Sequence, residues 1–113
     1  MPATVFAFSC HPDDIAFMMG GTLFLLKEAG CTIHYMNLAN GSCGSTELSV
    51  EQIVAKRRRE AMAAASFLGA VYHESLVTDL EILYDIGVVR QVTAVMREVK
   101  PDILLLPSPQ DYM

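Results

Sequence analysis

Three side chains that can bind a metal or act beside one, His11, Asp13 and Asp14, fall within four residues. Pro12 between them suits the first position of a helix, and acids in a first turn face the helix's partial positive charge. His11 and Asp14 would then lie three residues apart on one helix face, close enough to hold one ion. Asp13 would point elsewhere and be free to act as a base. The tetrapeptide is also a good helix start, so it leaves both interpretations open.

The segments on either side place this tetrapeptide at the edge of a sheet. Thr4 to Phe8 is continuously apolar, which is typical of a central strand covered on both faces. Ile15 to Ala29 follows helical spacing, with Gly30 as its C-terminal cap, and Gly20 and Gly21 suggest close contact between helix and sheet. The tetrapeptide therefore joins the carboxyl end of a strand to the amino end of a helix, where open α/β sheets bind ligands.

The rest of the chain continues this alternation of strands and helices. Further strands are predicted at Thr32 to Leu38, Val71 to Glu74 and Ile103 to Leu106, and helices at Val50 to Leu68 and from about Asp85 or Ile86 to Val99. This order predicts an α/β fold with a Rossmann-like, doubly wound, mostly parallel sheet and helices on both faces. A loop of small residues, 39–46, falls at the same edge, where Gly41 and Gly44 let the backbone approach a ligand closely.

Three stretches together resemble the LmbE/PIG-L family of zinc-dependent N-acetyl-sugar deacetylases. They are His11-Pro12-Asp13-Asp14 after a hydrophobic strand, Asn40-Gly41-Ser42-Cys43-Gly44-Ser45, and Arg57-Arg58-Arg59-Glu60-Ala61 through Phe67-Leu68-Gly69. The resemblance covers nearly all of the chain. It departs from the family at Ile15, where many members carry Glu.

The resemblance implies a Zn²⁺ ion, or another divalent metal, bound by His11 and Asp14, with Asp13 as general base. The implied reaction is removal of the acetyl group from an N-acetylglucosamine-type sugar or its conjugate. The residues expected to contact this substrate are Arg57, Gly44, Ser45 and Asp111. The basic run from Lys56 to Arg59 is also typical of a solvated helix face, so for Arg57 the role depends on the resemblance.

The family's third metal ligand is a histidine in the loop after the strand equivalent to Ile103 to Leu106. This chain ends at Met113, where that loop should begin, so we expect the third ligand beyond it. His34 is expected at the opposite edge of the sheet, and His73 lies in a short strand where a packed or surface histidine is the commoner case. Neither is expected to replace the missing ligand.

Composition limits the class of protein. The 113 residues are 52% hydrophobic and 19% charged, which predicts one globular domain that is short for a complete α/β enzyme. The resemblance implies that this single α/β domain, residues 1–113, is the N-terminal portion of a longer LmbE-like deacetylase domain. A net charge of −5 without a basic stripe argues against nucleic acid. No apolar run approaches the roughly 18 residues of a transmembrane helix, and no secretion signal is recognisable, so a cytoplasmic location is expected. Three cysteines in no zinc motif are expected to be free thiols.

Three classes of function remain open. The first is a deacetylase whose partner is a small-molecule N-acetyl sugar or its conjugate, the second a non-catalytic α/β binding module, and the third an inactive fragment that lacks the third metal ligand. Against a nucleotide-binding module, the first turn lacks Gly-x-Gly-x-x-Gly and carries two acids that repel phosphate. The apolar last strand needs cover that little of the chain can supply, so a homo-oligomer is expected.

Overall fold

The computed structural model describes residues 3–11, 14–79 and 81–108, apart from the side chains of residues 16 and 17. Strands and helices alternate in the order β1 Thr4–Ser9, α1 Asp14–Glu28, β2 Thr32–Asn37, α2 Val50–Phe67, β3 Val71–His73, α3 Ile86–Val99 and β4 Ile103–Leu105. The four strands form one parallel sheet in the order β3-β2-β1-β4. The predicted α/β fold is therefore confirmed.

Helices cover both faces of the sheet, as a doubly wound fold requires. On one face, α1 and α2 pack on β1 and β2 around the buried side chains of Val5, Ala7, Ile15, Leu23, Ile33, Tyr35, Ala61, Ala65 and Leu68. On the other face, α3 packs through Val99 on Phe6 and Met36. The strands alternate these two sets of residues because successive side chains point to opposite faces.

The helix ends follow the chemistry of their terminal residues. Ser49 caps α2 through a hydrogen bond from the backbone N–H of Gln52, whose side chain accepts in return from Ser49, and Asp85 caps α3. Gly30 and Gly69 follow α1 and α2 with φ of 93° and 63°, a region that favours glycine. These caps end each helix at a defined residue, so the connection to the neighbouring strand starts at a fixed point.

One expectation about α1 is wrong. A Cβ atom added at Gly20 or Gly21 would meet no described atom within 4 Å, and Gly21 is exposed. The pair therefore does not mark a close approach of α1 to the sheet. No contact among the described residues explains why both positions are glycine.

Strand β4 lies at an edge of the described sheet and pairs with β1 alone. Its apolar side chains are partly exposed, including Ile103 at 37% and Leu104 at 41%.

None of the three cysteines takes part in a disulfide. Among the described residues, no helix has both the length and the apolar content that crossing a bilayer requires.

A histidine pair occupies the α3 face of the sheet. His34 Nδ1 and His73 Nε2 lie 2.8 Å apart, and the His73 ring packs on Phe6 with ring centroids 5.5 Å apart. Burial lowers the pKa of both imidazoles; for His34 the neighbouring charge of His73 lowers the pKa further, while Glu98 on α3 opposes the shift for both. The pair is therefore stable as neutral rings that share one hydrogen bond.

We expect the free energy of unfolding to fall as the pH drops below about 6.5, the ordinary histidine pKa. The lowered pKa values mean that the folded state binds fewer protons, so the stabilisation is complete above that pH and is lost as the pH falls through the folded-state pKa values. Urea unfolding between pH 7.5 and 5 measures this. His73→Gln should flatten the dependence, whereas an unchanged pH profile in that variant would contradict the assignment to the pair.

Candidate functional site

The predicted metal pair lies where β1 ends and α1 begins. Asp14 is the first residue of α1, and its Oδ2 accepts hydrogen bonds from the backbone N–H of His11 at 3.1 Å and from the Ser9 hydroxyl at 3.2 Å. Ser9 is buried at 2% exposure, so its hydroxyl holds the carboxylate from inside the protein. The His11 Nδ1 atom lies 3.7 Å from the same carboxylate oxygen. The turn thus brings both predicted ligands together.

This spacing fits two ligands of one zinc ion. Zn–N and Zn–O bonds of about 2.0–2.1 Å at tetrahedral angles place two ligand atoms roughly 3.3 Å apart. Imidazole nitrogen and carboxylate oxygen are both common zinc ligands, and catalytic zinc normally takes three protein ligands. Within the described ranges no group of three metal-binding side chains comes together. His34 and His73, which pair with each other on the α3 face, do not supply the third.

A cavity of about 540 Å³ adjoins this pair. Ser9 and Asp14 line its polar end, and Met18, Met19, Leu106 and Pro107 form its apolar wall. The residues after β4 and one side of α1 therefore border a space beside the carboxylate of the predicted metal ligand. Small-molecule sites commonly combine such an apolar wall with a few polar groups.

The loop of small residues 39–46, called the glycine-rich loop from here on, contacts α2 near this site. Gly44 N–H donates to the Gly41 carbonyl at 3.0 Å, and Gly41 has a φ of 82°. A Cβ atom at Gly44 would lie 3.9 Å from Arg57 Nε, so the structure brings these two predicted substrate residues into contact. Ser45 is less open to a ligand, because its Oγ accepts the backbone N–H groups of Glu47 and Leu48.

Two arginines of the basic run on α2 each form hydrogen bonds to a carboxylate. Arg57 Nη1 donates to Glu60 Oε2, one helical turn away, at 2.8 Å. Arg58 Nε donates to both carboxylate oxygens of Glu74, at 3.1 and 3.0 Å. The Arg57 side chain is only 26% exposed, so the description of a solvated face does not fit this arginine. Asp13 and Asp111, two further predicted site residues, lie outside the described residues.

Asp79 is a residue of this region that sequence reasoning missed. Its carboxylate accepts the backbone N–H groups of Gly41 at 2.9 Å and Cys43 at 3.0 Å, and its own N–H donates to Ser42 Oγ at 3.1 Å. The sequence could have pointed to Asp79, because it is an acid in an irregular stretch after the third strand, at the same edge of the sheet as His11. Asp79 therefore fixes the shape of the glycine-rich loop.

The fold and the site together define an α/β domain whose polar side chains gather at the carboxyl-terminal edge of a parallel sheet. Residues 6–113 match the model of the PIG-L family, described as GlcNAc-PI de-N-acetylase. The chain belongs to this family, and the resemblance inferred from its motifs is confirmed.

Individual relatives are similar over most of the chain. The diacetylchitobiose deacetylase of Thermococcus kodakarensis is 34% identical over 102 residues, which are 88% of this chain and 38% of the relative. The 4-oxalmesaconate hydratase of Pseudomonas putida is 30% identical over 110 residues, 91% of this chain and 43% of the relative. The structure of N,N'-diacetylchitobiose deacetylase from Pyrococcus horikoshii superposes with a TM-score of 0.89 at 31% identity, covering 96% of this chain and 42% of that one. The chain thus spans about two fifths of the length of these proteins.

We expect Asp79→Ala to lower the free energy of unfolding by about 2 kcal/mol, because it removes two hydrogen bonds to a charged acceptor at a half-buried position. Amide hydrogen exchange should rise at Gly41 and Cys43, the two donors that lose their partner. Asp79→Asn, which keeps one acceptor oxygen, should show a smaller loss. Glu47→Ala, a carboxylate removed from the same loop region, is the control, and equal exchange in Asp79→Ala and this control would contradict the role.

Proposed function

We propose that the chain forms part of a zinc-dependent hydrolase that removes the acetyl group from an N-acetylglucosamine-type sugar or its conjugate. The observation that carries the proposal is the approach of His11 to Asp14, at 3.7 Å, on the strand edge of a chain that belongs to the PIG-L family. The diacetylchitobiose deacetylase activity of the Thermococcus relative supports an N-acetyl sugar as substrate.

In this proposal His11 and Asp14 bind the ion, together with a third ligand that the described residues do not provide. Other divalent metals also bind imidazole and carboxylate, and one of them is the alternative to zinc. When bound, zinc lowers the pKa of water and polarises a carbonyl group. Ser9 orients the Asp14 carboxylate by donating its hydroxyl hydrogen at 3.2 Å.

The remaining residues bind substrate and move protons. Asp13 takes a proton from the attacking water, whose oxygen forms the new bond to the acetyl carbon. The carbon–nitrogen bond then breaks, the amine receives the proton and acetate leaves. Arg57, oriented by Glu60, presents a planar and permanently charged donor to substrate oxygens beside Gly44.

A second candidate function is hydration of an unsaturated carboxylic acid. It is favoured by the 30% identity to the 4-oxalmesaconate hydratase over 91% of this chain. Addition of water to a carbon–carbon double bond also needs an activated water but breaks no amide. A non-catalytic binding module and an inactive fragment are two further candidates, and the two-ligand site among the described residues is compatible with the fragment.

The deciding experiment supplies zinc to the full-length gene product and assays it separately with N,N'-diacetylchitobiose, by measuring acetate, and with 4-oxalmesaconate, by measuring absorbance. We expect stoichiometric acetate and free amine. Loss of 4-oxalmesaconate absorbance without any acetate from the sugar would favour the hydratase, and neither reaction would favour the binding module.

We expect the two adjacent aspartates to separate metal binding from catalysis. Asp13→Asn should keep zinc and lose about 10²- to 10⁴-fold in kcat, the usual contribution of a general base. Asp14→Ala should lose the zinc itself, since it removes a ligand. Metal analysis and kinetics on the same preparations measure both effects, with the exposed Glu28→Gln as a charge control. Equal zinc loss in Asp13→Asn and Asp14→Ala would refute the assignment.

A further inference from the structure

A polar cavity of about 140 Å³ lies between α2 and the carboxyl ends of β2 and β3. Its wall includes Asn37 at the end of β2, Arg58 on α2, and Tyr72, Glu74 and Ser75 from β3 and the residues after it. Arg57, which the proposed function places at the substrate, also lines it. The polar cavity therefore opens from the region where the proposed substrate binds.

Asn37 gives this cavity an unmet hydrogen-bonding requirement. The side chain is 1% exposed, and its Oδ1 atom has no hydrogen-bond partner among the described residues. Buried carbonyl oxygens nearly always accept a hydrogen bond, because burial without one is unfavourable. The Oδ1 atom itself is covered, so a group bound in the polar cavity, whose wall includes Asn37, reaches it after a small rotation of the side chain. The polar cavity exceeds the roughly 10–15 Å³ that one water molecule needs.

The other groups around the polar cavity favour an uncharged ligand. The guanidinium of Arg58 forms hydrogen bonds to both oxygens of Glu74 and thereby lowers the pKa of that carboxyl. Burial raises the pKa of Tyr72, so its hydroxyl keeps the proton and can donate it. The positive charge of Arg58 is thus already balanced, which leaves little attraction for a phosphate. Neighbouring donors and acceptors without net charge match sugar hydroxyls, which both donate and accept.

The polar cavity is also next to the proposed metal pair. The β1–β2 register places Asn37 directly beside Ser9, and neighbouring parallel strands are about 4.8 Å apart. Ser9 in turn donates to Asp14, the proposed metal ligand. A substrate with its acetamide group at the metal would have hydroxyl groups within reach of Asn37.

We propose that this polar cavity binds hydroxyl groups of the substrate's sugar portion, and that Asn37 Oδ1 accepts a hydrogen bond from one of them. The inference rests on the proposed function for the identity of the ligand. It assigns Asn37 as a specificity-determining residue, with Tyr72 and the Arg58–Glu74 pair forming the rest of the wall.

The first test is Asn37→Leu, which keeps nearly the same shape and removes the acceptor. We expect KM for N,N'-diacetylchitobiose to rise about tenfold, the effect of one lost hydrogen bond, with kcat and zinc content little changed. Arg59→Ala, on the same basic run but outside the cavity wall, is the matched control. An unchanged KM in a folded Asn37→Leu protein would overturn the inference, since a water-filled cavity would predict that result.

The second test measures sugar binding directly and begins with the wild-type protein. In the ¹⁵N-labelled wild-type protein, titration with N-acetylglucosamine should shift the Asn37 side-chain NH₂ resonances and saturate. No shift would overturn the inference even if acetate release were observed. A saturating shift without acetate release would support sugar binding in the polar cavity and contradict the hydrolase instead. Should Asn37→Leu fail to fold, Asn37→Asp, which keeps an acceptor oxygen, should retain saturating shifts at the backbone amides around the cavity.

Discussion

The site depends on the parallel pairing of β1 with β2, which continues past the end of both strands. The N–H of Leu38 donates to the Ser9 carbonyl at 2.8 Å, and the N–H of Ala39 donates to the Cys10 carbonyl at 2.7 Å. Backbone hydrogen bonds therefore fix the turn that carries His11 relative to the glycine-rich loop. Because these bonds use main-chain atoms, they hold the two connections together whatever side chains the loops carry.

The segment after β3 extends this arrangement to a third connection. Ser75 Oγ donates to the Ala39 carbonyl, the N–H of Asn40 donates to the Val77 carbonyl, and Asp79 accepts from the glycine-rich loop. Three connections at one edge of the sheet thus support one another. Loops that carry function are commonly held in this way by a rigid scaffold.

Charge balance around α2 shapes the chemistry that the site can perform. Arg57 and Arg58 point to the same region, yet each has a carboxylate partner, Glu60 and Glu74 respectively. The pairs are partly exposed, so their contribution to stability is small, and their effect is on position and net charge. An oriented but balanced arginine suits recognition of neutral oxygens better than capture of a free anion.

Sequence alone determined the alternation of strands and helices, the Gly30 cap and the spacing of His11 and Asp14, because these depend on local periodicity and on spacing within one turn. Only the tertiary structure revealed that Asp79 holds the glycine-rich loop, that Asn37 is buried beside Ser9, and that His34 meets His73. Each of those contacts joins residues that are distant in the sequence, and the pairing of whole strands decides which side chains become neighbours. The expected close packing at Gly20 and Gly21 was wrong for the same reason, since a glycine's surroundings are set by how its helix is seated on the sheet.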